Sequence, residues 1–124
     1  MTRGNRTNAG KTPPTDTNLV VVVGTVPKDA VVTEASDGRT YTSFDVVCRL
    51  EGARCVVPVT APRSLDIRAD SRVAVLGRVE KRFFPSGSGF VSRTDVRAET
   101  ITVLRRSSQL SRVLAAAVEH LSAS

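Results

Sequence analysis

From Asn18 the chain reads NLVVVVGTV, a β-branched run bounded by glycine and proline. Such a run predicts a buried strand. VVTEAS then leads to the turn signal Asp37-Gly38, and TYTSFDVVCRL follows it with Phe44, Val46, Cys48 and Leu50 on one face. Side chains alternate across a strand, so Tyr41 and Arg49 fall on the opposite face. RCVVPV returns from a two-residue turn at Glu51-Gly52, with Arg54, Val56 and Pro58 on one face and Cys55 and Val57 on the other. APRSLDIRADS, with Pro62 near its start, suits one short helix or an irregular connection. RVAVLGRVEKRFF and GFVSRTDVRAETITVL make a long hairpin about Pro85 to Gly89. Five strands, a short connector after the third and a long final hairpin predict an all-β chain, a small closed barrel rather than a sandwich.

The flanks differ from this central domain, which spans 18–106. Residues 1–17 are rich in Thr, Asn, Gly and Pro, carry Arg3, Arg6 and Lys11, and show no apolar period. They are expected to form a disordered basic arm. Gly4 followed by Gly10-Lys11-Thr12 imitates a phosphate-binding loop, but five residues separate glycines that should have four between them. No strand precedes it and no apolar helix follows, so no nucleotide site is read there. Residues 107–124 read as an amphipathic helix capped by Ser107-Ser108, with Leu110, Val113, Leu114, Ala117, Val118 and Leu121 in one apolar stripe. The stripe is expected to bury against the barrel or against another copy. Its polar side is short of basic residues, which argues against a membrane anchor.

Composition narrows the chemistry. The 124 residues suffice for one domain with a real core. Eighteen Lys and Arg against twelve Asp and Glu give a net charge of +6, and fifteen of the eighteen are arginine. That balance suits a polyanionic partner, and arginine forks phosphates and stacks on planar groups. No apolar run reaches the ~18 residues of a membrane span, and no apolar signal core opens the chain. A soluble cytoplasmic protein is expected. Cys48 and Cys55 face each other across the Glu51-Gly52 hairpin. Zinc would want about four N/S ligands and the single histidine, His120, lies far off. Buried free thiols are the expectation. No nucleophile–base pair or metal cluster is apparent, so no enzyme activity, cofactor, metal or small-molecule substrate is expected.

Three blocks then stand in a recognisable order. The first is Val20-Val21-Val22-Val23-Gly24-Thr25-Val26, followed by Asp29. The second is Ser36-Asp37-Gly38 leading into Ser43-Phe44-Asp45-Val46. The third is Val73-Ala74-Val75-Leu76-Gly77-Arg78-Val79 through Thr94-Asp95-Val96. In this order and spacing, from Asn18 to Leu104, the chain resembles the oligonucleotide-binding (OB) domain of bacterial single-stranded DNA-binding proteins. It differs from the family pattern in the short Glu51-Gly52 turn, where the family carries a long loop. It also lacks any tryptophan, and His120-Leu121-Ser122-Ala123-Ser124 stands where the family has an acidic tip.

The resemblance implies a five-stranded OB-fold barrel that binds single-stranded DNA, with RNA as an alternative, without strong sequence specificity. It implies a homo-oligomer, dimer or tetramer, associated with the nucleoid and acting in replication, repair or recombination. It places a stacking aromatic at Phe84, with Phe90 across from it if the turn centres on Gly87. Of the adjacent rings, Phe83 is assigned to the core and Phe84 to the outside, because neighbouring strand residues face opposite ways. Arg78, Lys81, Arg82 and Arg93 flank these rings, and a non-specific single-strand binder needs this pairing of aromatic platforms with basic groups. Tyr41 is a second candidate platform, and Arg49 and Arg54 continue a basic path. Exposed strand arginines also serve simply to deter edge aggregation. An OB-fold protein-interaction module, or an accessory factor in replication restart, competes with the DNA-binding reading. The missing loop and tryptophan support the module.

Overall fold

The computed structural model describes residues 16–123. The expected arm lies outside them except for its last two residues, as does the Gly10-Lys11-Thr12 stretch. Among the described residues six strands and one helix follow in order: β1 (Val20–Thr25), β2 (Val31–Glu34), β3 (Thr40–Leu50), β4 (Ala53–Ala61), β5 (Arg72–Ser86), β6 (Gly89–Val103) and α1 (Ser107–Ala123).

The strands run β1-β5-β6-β4-β3, and a β1–β3 pairing at Thr25 and Val47 closes the ring. β4 occupies one edge of β3. The other edge is shared, by β1 at Val47 and by β2 from Ser43 back to Thr40. β1 and β2 are thus two halves of one bent side of a five-sided barrel, broken at Pro27. All pairings are antiparallel except β4–β6, where Val59 lies opposite Val96.

Alternation fills the interior. Val22, Phe44, Val46, Val59, Ala61, Val73, Val75, Val96 and Ala98 form one buried cluster with Val26. The connector from Pro62 to Ser71 contains no helix. Ile67 from this segment is buried in the same cluster, and its carbonyl accepts from Ala30 N at 2.8 Å. Buried Thr42 is satisfied twice, donating to the Arg63 carbonyl at 2.6 Å and accepting from Leu65 N at 2.9 Å. A buried hydroxyl requires such partners.

Two turns set the registers that matter for the site. Glu51 and Gly52 have φ of 51° and 82°, the positive values a two-residue type I′ hairpin turn demands at both central positions. Leu50 therefore pairs with Ala53, Arg49 with Arg54 and Cys48 with Cys55. The two cysteines are free, but Cys55 is exposed and Cys48 half-buried. The expectation of buried thiols fails because this end of the hairpin runs past the barrel wall. The second turn, Gly87-Ser88, joins Ser86 to Gly89 and closes the long β5–β6 ribbon. At its root the ladder breaks register between Leu76 and Gly77. A Cβ at Gly77 would collide with the Arg97 carbonyl, so close backbone approach requires glycine there. Asn18 clamps the root as well, donating to Val79 O at 2.8 Å and accepting from Val79 N at 2.9 Å.

α1 lies on the outer face of β5 and β6. Val113 and Ala117 are buried, and Leu76, Thr100 and Thr102 face Gln109, Val113 and Ala116 across a shallow groove. Gln109 Oε1 accepts from Arg105 N and Arg106 N at 2.5 and 2.9 Å; the second is the cap-position donor that a helix start leaves unpaired. Only part of the apolar stripe is covered: Leu114, Val118 and Leu121 remain exposed.

Candidate nucleic-acid interface

The β5–β6 ribbon has two faces with different chemistry. Alternation puts Arg78, Glu80, Arg82 and Phe84 on one face of β5. Their cross-strand partners Arg97, Asp95, Arg93 and Val91 share that face. Lys81, Phe83 and Pro85 lie on the reverse face, opposite Thr94, Ser92 and Phe90. All three rings are exposed: Phe83 by 64%, Phe84 by 41% and Phe90 by 75%. Phe83 is therefore not a core residue. Alternation requires the two rings to face apart, but the ribbon has left the barrel, and both of its faces are wet. Phe90 pairs with Pro85 and not with Phe84, whose cross-strand partner is Val91.

The first ribbon face is anchored by a buried ion pair. Arg82 Nη2 donates to Asp95 Oδ2 at 2.5 Å and to Thr60 Oγ1 at 3.2 Å. Thr60 in turn donates to Asp95 Oδ2 at 2.7 Å. The Arg82 guanidinium lies 5.6 Å from the centre of the Phe84 ring, within cation–π range. Arg82 thus props Phe84 from below, while its own charge is met by Asp95. Its Nε is buried and has no hydrogen-bond partner among the described residues. Arg78 and Arg97 share Glu80, at 3.9 and 3.5 Å, and both remain partly exposed.

Beside this face runs a trough on the outside of β3 and β4. One part is lined by Lys28, Asp29, Ser43, Asp45, Thr60 and Arg93. The other is lined by Val47, Arg49, Arg54, Asp70 and Arg72. Pro27 borders both, so the two parts meet at the bend between β1 and β2. From Ser43 to Arg49 the floor extends six residues along β3, about 20 Å at the rise of a strand. Positive charge stands at each end, Arg93 at the ribbon and Arg49, Arg54 and Arg72 at the hairpin. Burial pushes the Cys48 thiol, behind this second end, above its ordinary range; neighbouring Cys55 adds to the rise and Arg72 opposes it.

The structure brings together some of the residues singled out from sequence and separates others. Arg49 and Arg54 meet across the hairpin, and Arg82, Phe84 and Arg93 share one ribbon face. Lys81 and Phe90 lie on the reverse face, where the Lys81 ammonium is 5.7 Å from the Phe83 ring centre. Tyr41 shares a β3 face with Arg49 but pairs with Thr33 at the far end. The eight intervening steps amount to roughly 26 Å, and Tyr41 lines neither part of the trough. Lys28, Arg72 and Thr60 line the trough and Asp95 holds Arg82 and Thr60 beside it, and none of the four was legible from the sequence as part of a candidate site. The one usable signal was Asp95, a carboxylate set between Arg93 and Arg97 on one face of its strand. Among the described residues no group of three or more His, Cys, Asp or Glu is arranged to hold a metal ion. No helix among them is long and apolar enough to cross a membrane.

A five-sided closed barrel, one parallel β4–β6 pairing and a protruding last hairpin define a known architecture. The barrel is similar to the solved structure of a Plasmodium falciparum SSB in complex with ssDNA, with a TM-score of 0.60. The superposition covers 76% of this chain and 100% of that one, at 13% sequence identity. The chain is an OB-fold barrel. At that identity the common property is the fold itself. No protein-family model matches the sequence, and no curated protein is significantly similar to it.

Proposed function

We propose that this OB-fold protein binds single-stranded DNA, without strong sequence preference, along the trough on β3 and β4. The observation that carries the reading is the arrangement of charge and ring: Arg93 lines one end of the trough and shares its ribbon face with exposed Phe84, and Arg49, Arg54 and Arg72 line the other end. Single strands offer a π-face on every base and a charge on every phosphate, and a non-specific binder meets both with rings and a basic groove. Bases stack on Phe84, and Arg93 and Lys28 take phosphates as the strand leaves the ribbon. The three hairpin-end arginines take phosphates further along. Arg82 acts as a positioning residue for the ring, because its charge is already met by Asp95. Arg78 and Arg97, which share a single carboxylate, add positive potential at the ribbon root. The likeness to an SSB solved with ssDNA supports the reading through the fold. A homo-oligomer working in replication, repair or recombination is the matching cellular role.

One observation favours a second reading. The uncovered Leu114, Val118 and Leu121 on α1 form an apolar strip of the kind that marks a protein contact, as a protein-interaction module would carry. The two readings separate by measuring anisotropy of labelled oligo-dT and of duplex of equal length. Preference for the single strand, weakened by salt, supports the first; no binding to either leaves the second.

A further inference from the structure

The reverse face of the ribbon is not used by the trough. There Phe83 pairs with Ser92 and Phe90 with Pro85, which makes the two rings diagonal neighbours on one face. Diagonal residues of an antiparallel pair stand close enough for aromatic side chains to act together. Phe83, Phe90 and Ser92 line one shallow open recess. Among the described residues nothing covers the rings, which are the two most exposed phenylalanines of the chain. The charge on this face has one sign. Lys81 sits against Phe83, and no carboxylate shares the face between Val79 and Thr94, since Glu80 and Asp95 both point to the other side.

We infer that this reverse face is a second single-strand contact, on which a nucleic-acid strand that has left the trough folds over the Gly87-Ser88 tip. Its bases stack on Phe83 and Phe90, and Lys81 takes the adjoining phosphate. The inference rests on the proposed single-strand binding and deepens it: the ribbon is gripped from both sides, so the length of strand engaged exceeds what the trough alone holds. The occupant follows from three features together. A patch made to meet another protein would have no need to make its one charged group a cation set against an exposed ring. A nucleobase strand is anionic and flat. The patch is continuous, through the tip, with the face already assigned to DNA.

Strand length separates the two faces. An oligo-dT of about eight nucleotides fits within the site size of one OB fold, and one of about 24 exceeds it. In the full chain, Phe83→Ala/Phe90→Ala is expected to leave the short oligonucleotide's affinity unchanged and to weaken the long one roughly tenfold or more. Both rings are exposed, so the melting temperature should hold. The chain has no tryptophan, so Phe90→Trp supplies a single reporter, quenched by the long oligonucleotide and not by the short one. Wild-type affinity for the long oligonucleotide in the double variant, with the reporter unquenched, would overturn the inference while leaving trough binding intact. A change of mass by light scattering in that variant, with long-strand affinity unchanged, would assign the face to a second copy and overturn it too. Failure of the wild-type chain to bind either oligonucleotide would instead remove the single-strand reading itself.

Discussion

Arg82 donates from Nη2 to Asp95 Oδ2 at 2.5 Å, and the accepting side chain is only 2% exposed. A buried ion pair is costly to break, because removing one partner strands the other charge away from water. Here it also carries Thr60 from β4 and underlies the Phe84 ring, so it ties the ribbon to the barrel wall at the place where the site begins.

Arg82→Ala and Asp95→Asn are therefore each expected to lower stability by about 3 kcal/mol. The value is at the low end of the range because the Arg82 side chain keeps 26% exposure. Arg82→Met/Asp95→Leu should recover most of the loss, since an apolar pair leaves no orphaned charge. Thermal and denaturant unfolding check this; unchanged midpoints in both single variants would contradict it.

Phe84→Ala should weaken oligo-dT binding by about 1–3 kcal/mol while the salt dependence keeps its slope, because no charge is lost. The melting temperature should change little, as the ring is partly exposed. A large fall in melting temperature would mean that the ring holds the ribbon together.

Arginines of the trough should behave in the opposite way. For single strands each phosphate contact contributes about 0.7 to the slope of log affinity against log salt. Arg93→Ala should remove about one such step, and Arg49→Ala/Arg54→Ala/Arg72→Ala about three. Slopes equal to wild type would place the phosphates elsewhere.

The two thiols should label at different rates. Cys55 is exposed and should react first, while the Cys48 thiol is held above its usual range by burial and by Cys55 and waits for higher pH. A raised thiol pKa favours the protonated folded state. Its contribution to stability is thus fully present below the unfolded thiol's pKa, about 8.5, and is lost as pH rises through the folded value. Equal labelling rates near neutral pH would contradict the difference in burial.

Deleting residues from Gln109 onward should lower the melting temperature and promote association. Ala74 and Leu76 are buried on the outer side of β5, and α1 is the element lying over that face. Identical melting and scattering in the truncated chain would show that α1 contributes nothing to the barrel.

The barrel was largely legible from the chain, because alternation reports on any strand with one dry face. Phe44 and Val46, and Val73 and Val75, fall inside as their spacing requires. The same rule misleads wherever a hairpin outruns the barrel. Phe83 was expected inside and Cys55 buried, yet each lies on a strand segment with solvent on both sides. Alternation separates the faces of such a segment and says nothing about whether either is covered. Asp95, Thr60 and Arg82 come from three strands, and only the β4–β6 and β5–β6 registers bring them together. The helix was legible in its period, but its covered edge depends on which part of the stripe meets Leu76. Val113 and Ala117 are chosen over Leu114 and Val118 by docking geometry and not by hydrophobicity.

The proposed function is single-strand binding along a basic trough that begins beside the Phe84 ring. The most direct test is fluorescence anisotropy of labelled oligo-dT against a duplex of equal length, titrated with the wild-type protein at several salt concentrations. The expected result is tighter binding to the single strand, with log affinity falling linearly as log salt rises over several phosphate contacts. Equal affinity for both forms, or an affinity indifferent to salt, would contradict it.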